Sequence, residues 1–190
     1  MRTFISVLAL SMTFSSQAAW TLDSAASSLR FASVKNDIVA ETHRFNKISG
    51  SWQDNGQAKV IIDVASLDTL IPIRNERMLT HLFEATKYPQ IEANAQINAQ
   101  LVKEMTVGSA SQFKTDLTVT IRDQKQTFNA ELSVSKLSDG RIVVGTVAPI
   151  LVNAASFKLD GGLTTLKDIA KLNSIELVVP VTFQVTLNKN

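Results

Sequence analysis

Cysteine is absent from this 190-residue chain. That excludes a disulfide framework, a thiolate metal site and a lipid anchor on a cysteine behind an apolar leader. Hydrophobic side chains make up 45% of the sequence, so an apolar interior of full size can hold the fold without staples. Histidine is nearly as scarce, His43 and His81 being the only two. Zinc needs three or four ligands at fixed spacing. A site here would have to join both histidines to a carboxylate, and a place on the surface or a barrel rim is the simpler assignment for each. An excess of one charge is also missing, with 19 Lys and Arg against 17 Asp and Glu. This balance argues against nucleic acid or an anionic membrane surface as the main partner. No apolar run is long enough to span a bilayer, so no transmembrane segment is expected. The G-x-S-x-G elbow, the phosphate loop and the dinucleotide fingerprint are all lacking. Ser133-Val134-Ser135-Lys136 matches S-x-x-K, but it lies in an alternating stretch, which points Ser and Lys to opposite faces of a strand. Internal repeats, low-complexity linkers and composition shifts are absent, which leaves a single domain.

What is present begins with a leader. Met1-Arg2 supplies a positive start, Phe4 to Phe14 is an apolar run of eleven residues, and Ser16-Gln17-Ala18 places small residues where a signal peptidase needs them. This is the pattern of a secretory signal peptide over residues 1–18, cut after Ala18, with the mature domain at 19–190 and the periplasm as its destination.

The mature sequence alternates. Leu177, Val179, Val181, Phe183, Val185 and Leu187 share one face of a run whose other face is mostly polar. Leu117, Val119 and Ile121 repeat the pattern, as do Phe128, Ala130, Leu132 and Val134. Val60, Ile62 and Val64 do so with Ile61 as an exception, and Leu29, Phe31 and Ser33 and Ile91, Ala93, Ala95 and Ile97 form two further faces. Asn55-Gly56 and Asp139-Gly140 carry hairpin chemistry, and Gly161-Gly162 marks another break. Roughly eight to nine strands with one apolar face each predict an all-β antiparallel sheet that closes or stacks to hide that face. Strands of about ten residues favour a single eight-stranded barrel. Its interior has room for packed side chains or for one small ligand, and both remain open from patterning.

Two segments read as helix. Arg74 to Thr86 places Met78 with Leu82, and Leu79 with Phe83, at i,i+4 spacing before the stop at Tyr88-Pro89. Leu163 to Leu172 is a second, shorter helix that Thr164 or Thr165 would cap.

The residues around the first helix carry a resemblance. Ser66-Leu67-Asp68-Thr69 followed by RNERMLTHLFEATKYP resembles the signature of the YceI-like family of bacterial periplasmic proteins. Trp20-Thr21-Leu22-Asp23, Ser27-Ser28-Leu29-Arg30-Phe31, Phe45-Asn46-Lys47-Ile48-Ser49-Gly50, Leu117 to Ile121 and the closing VVPVTFQVTL follow in the family's order. The resemblance covers essentially the whole mature chain. It implies a lipocalin-like extended barrel whose apolar cavity binds an isoprenoid, a quinone or a fatty-acid-type lipid, with no cofactor and no established catalysis.

It also implies a place for the first helix, across the barrel mouth. Met78, Leu82 and Phe83 then face inward, where adaptable Met suits flexible chains, and Arg74, Glu76, Arg77 and His81 line the rim beside a polar head group. Parity or proximity to the motifs adds Phe31, Phe45, Ile48 and Trp52 as lining candidates. Ile71, Ile73, Phe157 and Leu159 join them on the same grounds. The expected function is a periplasmic, non-enzymatic carrier, monomeric or homodimeric, whose partner is a hydrophobic lipid. Two alternatives stand beside it: an enzyme acting on such a lipid with His43 or His81 as base, and a ligand-free interaction module with a solid interior. The leader makes a first prediction. Intact mass or N-terminal sequencing of the exported protein should find Ala19 as its first residue, and a chain that retains Met1 would refute the cut.

Overall fold

A computed structural model describes residues 20–190, so the leader expected over 1–18 lies outside the described residues. The chain runs through β1 (Trp20–Lys35), β2 (Val39–Phe45), β3 (Ile48–Trp52), β4 (Gln57–Asp63), β5 (Leu67–Asp68), α1 (Pro72–Arg77), β6 (Gln90–Gln96) and α2 (Ala99–Glu104). It continues through β7 (Ala110–Ile121), β8 (Gln124–Lys136), β9 (Ile142–Thr146), β10 (Ile150–Asn153), α3 (Asp160–Ala170) and β11 (Val178–Lys189). Eight of the strands close a ring in the order β1-β11-β9-β8-β7-β6-β4-β3, with Trp20 facing both Lys189 of β11 and Trp52 of β3. The expected eight-stranded antiparallel barrel is therefore the architecture. β2, β5 and β10 are added to it: β2 pairs with the second half of β1, β5 with β2, and β10 with the first half of β11. They lengthen one side of the barrel beyond the ring.

A bulge makes this extension possible. Between Asp23 and Ser28 of β1 the register with β11 slips, Asp23 facing Thr186 and Ser28 facing Gln184. An Asp23 carboxylate oxygen accepts from the backbone N–H of Ala25 at 3.0 Å, and the Ser27 hydroxyl donates to the Asp23 carbonyl at 2.6 Å. Thr186 closes the defect, its N–H donating to the Ser27 hydroxyl oxygen and its own hydroxyl to the Ala26 carbonyl. Bulges bend a strand and reset its parity. Buried Leu22 points inward before this one, and odd-numbered Leu29 and Phe31 point inward after it.

The two ends differ. α2 covers one of them with Val102, and the Asn98 side chain caps it by accepting from the Gln100 N–H. This helix was not anticipated, although Asn98 and the i,i+4 pair Leu101 and Met105 are a legible signal for it. The other end is covered by α1, the turn that follows it, and α3. The first expected helix, Arg74 to Thr86, is corrected at both limits. Pro72 occupies its first position, where a missing N–H costs nothing. After Arg77 the coil widens into a π turn over Met78–Leu82, with the Phe83 N–H donating to the Met78 carbonyl. The helix then stops at Glu84, whose φ is +48° and whose carboxylate is ion-paired with Arg122.

The second expected helix begins earlier than Leu163, at Asp160. Gly161-Gly162 is thus its first turn and not a break. Neither threonine caps it: the Thr164 and Thr165 hydroxyls donate back to the carbonyls of Asp160 and Gly161. Gly162 has a packing reason, since a Cβ there would lie 2.5 Å from the His81 carbonyl oxygen and 2.9 Å from the Leu82 Cα. A Cβ on Gly161 would meet nothing within 4 Å. Gly162→Ala should therefore push α3 off the π turn and cost about 1–3 kcal/mol in urea unfolding, with Gly161→Ala close to neutral. Equal effects of the two would contradict this packing.

Candidate functional site

Period-two alternation sends one face of every ring strand into the barrel, and the interior is hollow. Its wider part is a cavity of about 190 Å³. β1 contributes Leu29, Phe31 and Ser33; β2 and β3 contribute Phe45 and Ile48. Ile62 of β4, Ile91 of β6 and Ile121 of β7 complete one wall, and Ile150, Val152, Val179 and Val181 the wall opposite. A smaller hollow of about 60 Å³ lies toward α2, bordered by Leu22, Trp52, Ile97 and Val102. Space is left because the facing pairs Ala58–Ala95 and Val60–Ala93 carry small side chains.

The lid is apolar underneath. Met78, Leu82 and Phe83 are buried and line the wide cavity, and buried Leu159 and half-buried Leu163 line it beside them. The π turn has a geometric effect, setting Phe83 one position past the Met78–Leu82 stripe but on the same underside. The Phe83 ring meets Phe45 edge-on at 5.8 Å between centroids, and Phe45 packs on Phe31 at 5.6 Å. Ser33 and Glu176 are the polar residues of the lining, and Glu176 is its only exposed member. The lining therefore reaches solvent at Glu176.

A polar cluster stands next to this opening. Glu41 accepts from Lys35 at 2.6 Å and from Arg74 at 2.8 Å, while Arg74 also donates to the Thr69 carbonyl at 2.6 Å. Lys35 first, and then Arg74, pull the Glu41 carboxyl down to about 2, against the opposing effect of burial. Two strand positions deeper, His43 is 3% exposed, with Nε2 at 2.8 Å from the Ser33 hydroxyl. Its Nδ1 is buried without a hydrogen-bond partner among the described residues. Burial, and after it the positive charge of Arg74, hold the imidazole below its ordinary pKa. The surface or rim position expected for His43 is thus corrected. A Ser–His contact is also half of a nucleophilic triad, but no carboxylate reaches Nδ1 to orient the ring or stabilise its charged form.

Several residues expected at the site lie elsewhere. Ile71 and Ile73 are 42% and 50% exposed, Ile71 as the N-cap of α1 and Ile73 in its first turn. His81 is exposed and Arg77 half-buried, and neither lines the wide cavity or the smaller hollow. Trp52 lines the small hollow rather than the wide one and stacks on Trp20. Phe157 is fully buried, but its ring packs on Phe128 and it lines neither space. The parity rule fails there because Phe157 belongs to a 3-10 turn, Ala154–Phe157, and not to a strand. Ser33, Glu176, Ile175 and Leu163 line the site without having been expected there. Ser33 was readable from its parity with Phe31, whereas Ile175 and Glu176 belong to a loop and carry no such signal.

The chain matches the YceI-like domain over residues 20–187. It belongs to the YceI-like family. Among solved structures, a polyisoprenoid binding domain from Saccharophagus degradans, implicated in plant cell wall breakdown, is 34% identical with a TM-score of 0.89, covering 92% of this chain and 100% of that one. BcnA from Burkholderia cenocepacia is 19% identical with a TM-score of 0.66, covering 87% and 98% of the two chains. The YCEI protein of Campylobacter jejuni is 17% identical with a TM-score of 0.55, covering 78% and 85%. At identities this low the last two likenesses are of fold alone. No curated protein matches the chain.

The motifs that carry the family resemblance are largely structural in this YceI-like domain. Asp23 and Ser27 build the bulge. Asp68 pairs with Arg44 and accepts from the Leu70 N–H, and Asn75 accepts from both the N–H and the hydroxyl of Thr69. Tyr88 lies under the Arg122 guanidinium.

Buried, neutral His43 makes stability depend on pH. The unfolded chain takes up a proton below about pH 6.5 and the folded chain resists it, so stability should fall as pH drops from about 7 to 5. His43→Leu should flatten that slope in chemical unfolding, and an unchanged slope would contradict the assignment.

Proposed function

We propose that this YceI-like domain binds and carries a long-chain isoprenoid, or another amphiphilic lipid with a similar tail, in the periplasm. The observation that supports this best is the apolar cavity of about 190 Å³ whose one exposed lining residue is Glu176. Removing a hydrocarbon chain from water is favourable by about 25 cal/mol per Å², and the walls offer that chain no competing polar surface except Ser33 and Glu176. The polar end stays at the opening, within reach of these two residues and the Lys35–Glu41–Arg74 cluster. The 34% identical relative described as a polyisoprenoid binding domain supports an isoprenoid as the tail. The leader over residues 1–18 supports export.

The hollow interior weighs against the solid interaction module. The partnerless Nδ1 of His43 weighs against an enzyme that uses His43 as a triad base.

Native mass spectrometry of protein taken from the periplasmic fraction tests the reading. A reproducible added mass that organic extraction removes is the expected result. Protein that carries no such mass, and that retains no polyprenol supplied to it, overturns the carrier function. Protein found only in the cytoplasm overturns the location.

A further inference from the structure

The two hollows are not independent spaces. Val60, Ala93, Leu117, Phe183 and Val185 border both of them. These five form a waist, contributed by β4, β6 and β7 on one side and by β11 on the other. Val60 faces Ala93 across the β4–β6 pair. Phe183, the bulkiest of the five, is half-buried and lines both the wide cavity and the hollow behind it. Beyond the waist lies a dead end. Trp52 and Val102 are 2% and 3% exposed there, and α2 closes the barrel.

From this geometry we infer that the waist, and Phe183 above all, sets the length of hydrocarbon chain that the barrel accepts. The inference rests on the carrier reading and names a specificity determinant within it. A chain entering beside Glu176 gains apolar burial carbon by carbon as it fills the wide cavity. At the waist the gain ends. A longer chain folds back or leaves carbons in water, so additional length adds no affinity. Removing the Phe183 ring would join the two spaces, and the chain end would then reach Trp52.

The two tryptophans report on this directly. Trp20 and Trp52 are the only ones in the chain and stack on each other at 6.5 Å between centroids, Trp52 facing the far hollow. Lipid-stripped exported protein is titrated with farnesol, geranylgeraniol and solanesol, and both affinity and tryptophan emission are recorded. In the wild type, affinity should stop rising before the longest prenol, and emission should stay unchanged throughout. In Phe183→Ala, the longest prenol should bind at least roughly tenfold tighter than it does to the wild type, with a shift in emission that the shortest does not cause. Leu117→Ala opens the same waist from the other side and should act in the same direction, which keeps the test decisive if Phe183→Ala fails to fold. Adding Ala95→Phe to either opened variant refills the far hollow and should restore the wild-type profile. Identical length profiles in the wild type and the opened variants, or an emission shift with solanesol in the wild type itself, overturn the ruler while leaving the carrier function standing. A wild type that binds none of the three prenols overturns the carrier reading, and the ruler with it.

Discussion

The pairing of β1 with β11 closes the sheet, and the cavity, the lid and the polar cluster all take their positions from that closure. Closing a sheet removes its exposed edges and fixes how wide its interior is. With that width set by eight strands, the size of the inward side chains decides between solid and hollow. Ala58, Ala93 and Ala95 lie together on the β4–β6 wall and leave room that Leu or Ile would fill. A bulge fixed by Asp23, Ser27 and Thr186 keeps the closing strand in ring register at one end, and lets the other end carry β2 and the polar residues beside the opening.

The hydrogen bonds near the opening explain why so much of the sequence signature is polar without contacting the cavity. Irregular backbone at a barrel end leaves N–H and C=O groups that need partners. Asp68, Asn75, Arg74 and Ser66 supply them, to Leu70, Thr69 and Lys47. The same stretch turns Met78, Leu82 and Phe83 inward. One short segment thus has two faces with different tasks: a polar face that holds the lid in place and an apolar face that roofs the cavity. Gly162 lets α3 come close enough to lock the pair together.

Much of this was legible because it is local. Period-two runs identify the inward face of β4, β6, β7, β8 and β11 residue by residue, and the hairpins at Asn55-Gly56 and Asp139-Gly140 occur where turn chemistry puts them. The misreadings share a cause. The π turn at Met78–Leu82, the 3-10 turn holding Phe157 and the helical Gly161-Gly162 depart from ideal periods because neighbouring elements impose the geometry. Ile71 and Ile73 are exposed where α1 begins at Pro72, two residues before the expected start. His43 is buried beside Phe31, its partner on β1, and Ser33, whose hydroxyl its Nε2 meets, contacts that only the β1–β2 pairing creates.

The order of residues alone established a single sheet with one apolar face, a short amphipathic segment that interrupts it, and motifs in the YceI-like order. Side-chain alternation is a property of the local backbone, so each of these can be read one strand at a time. That the interior is hollow, that its lining reaches solvent at Glu176, and that Phe183 borders both of its spaces emerged only with the fold. Those facts depend on distances across the ring, between residues such as Ala93 and Phe183 that no local pattern brings together.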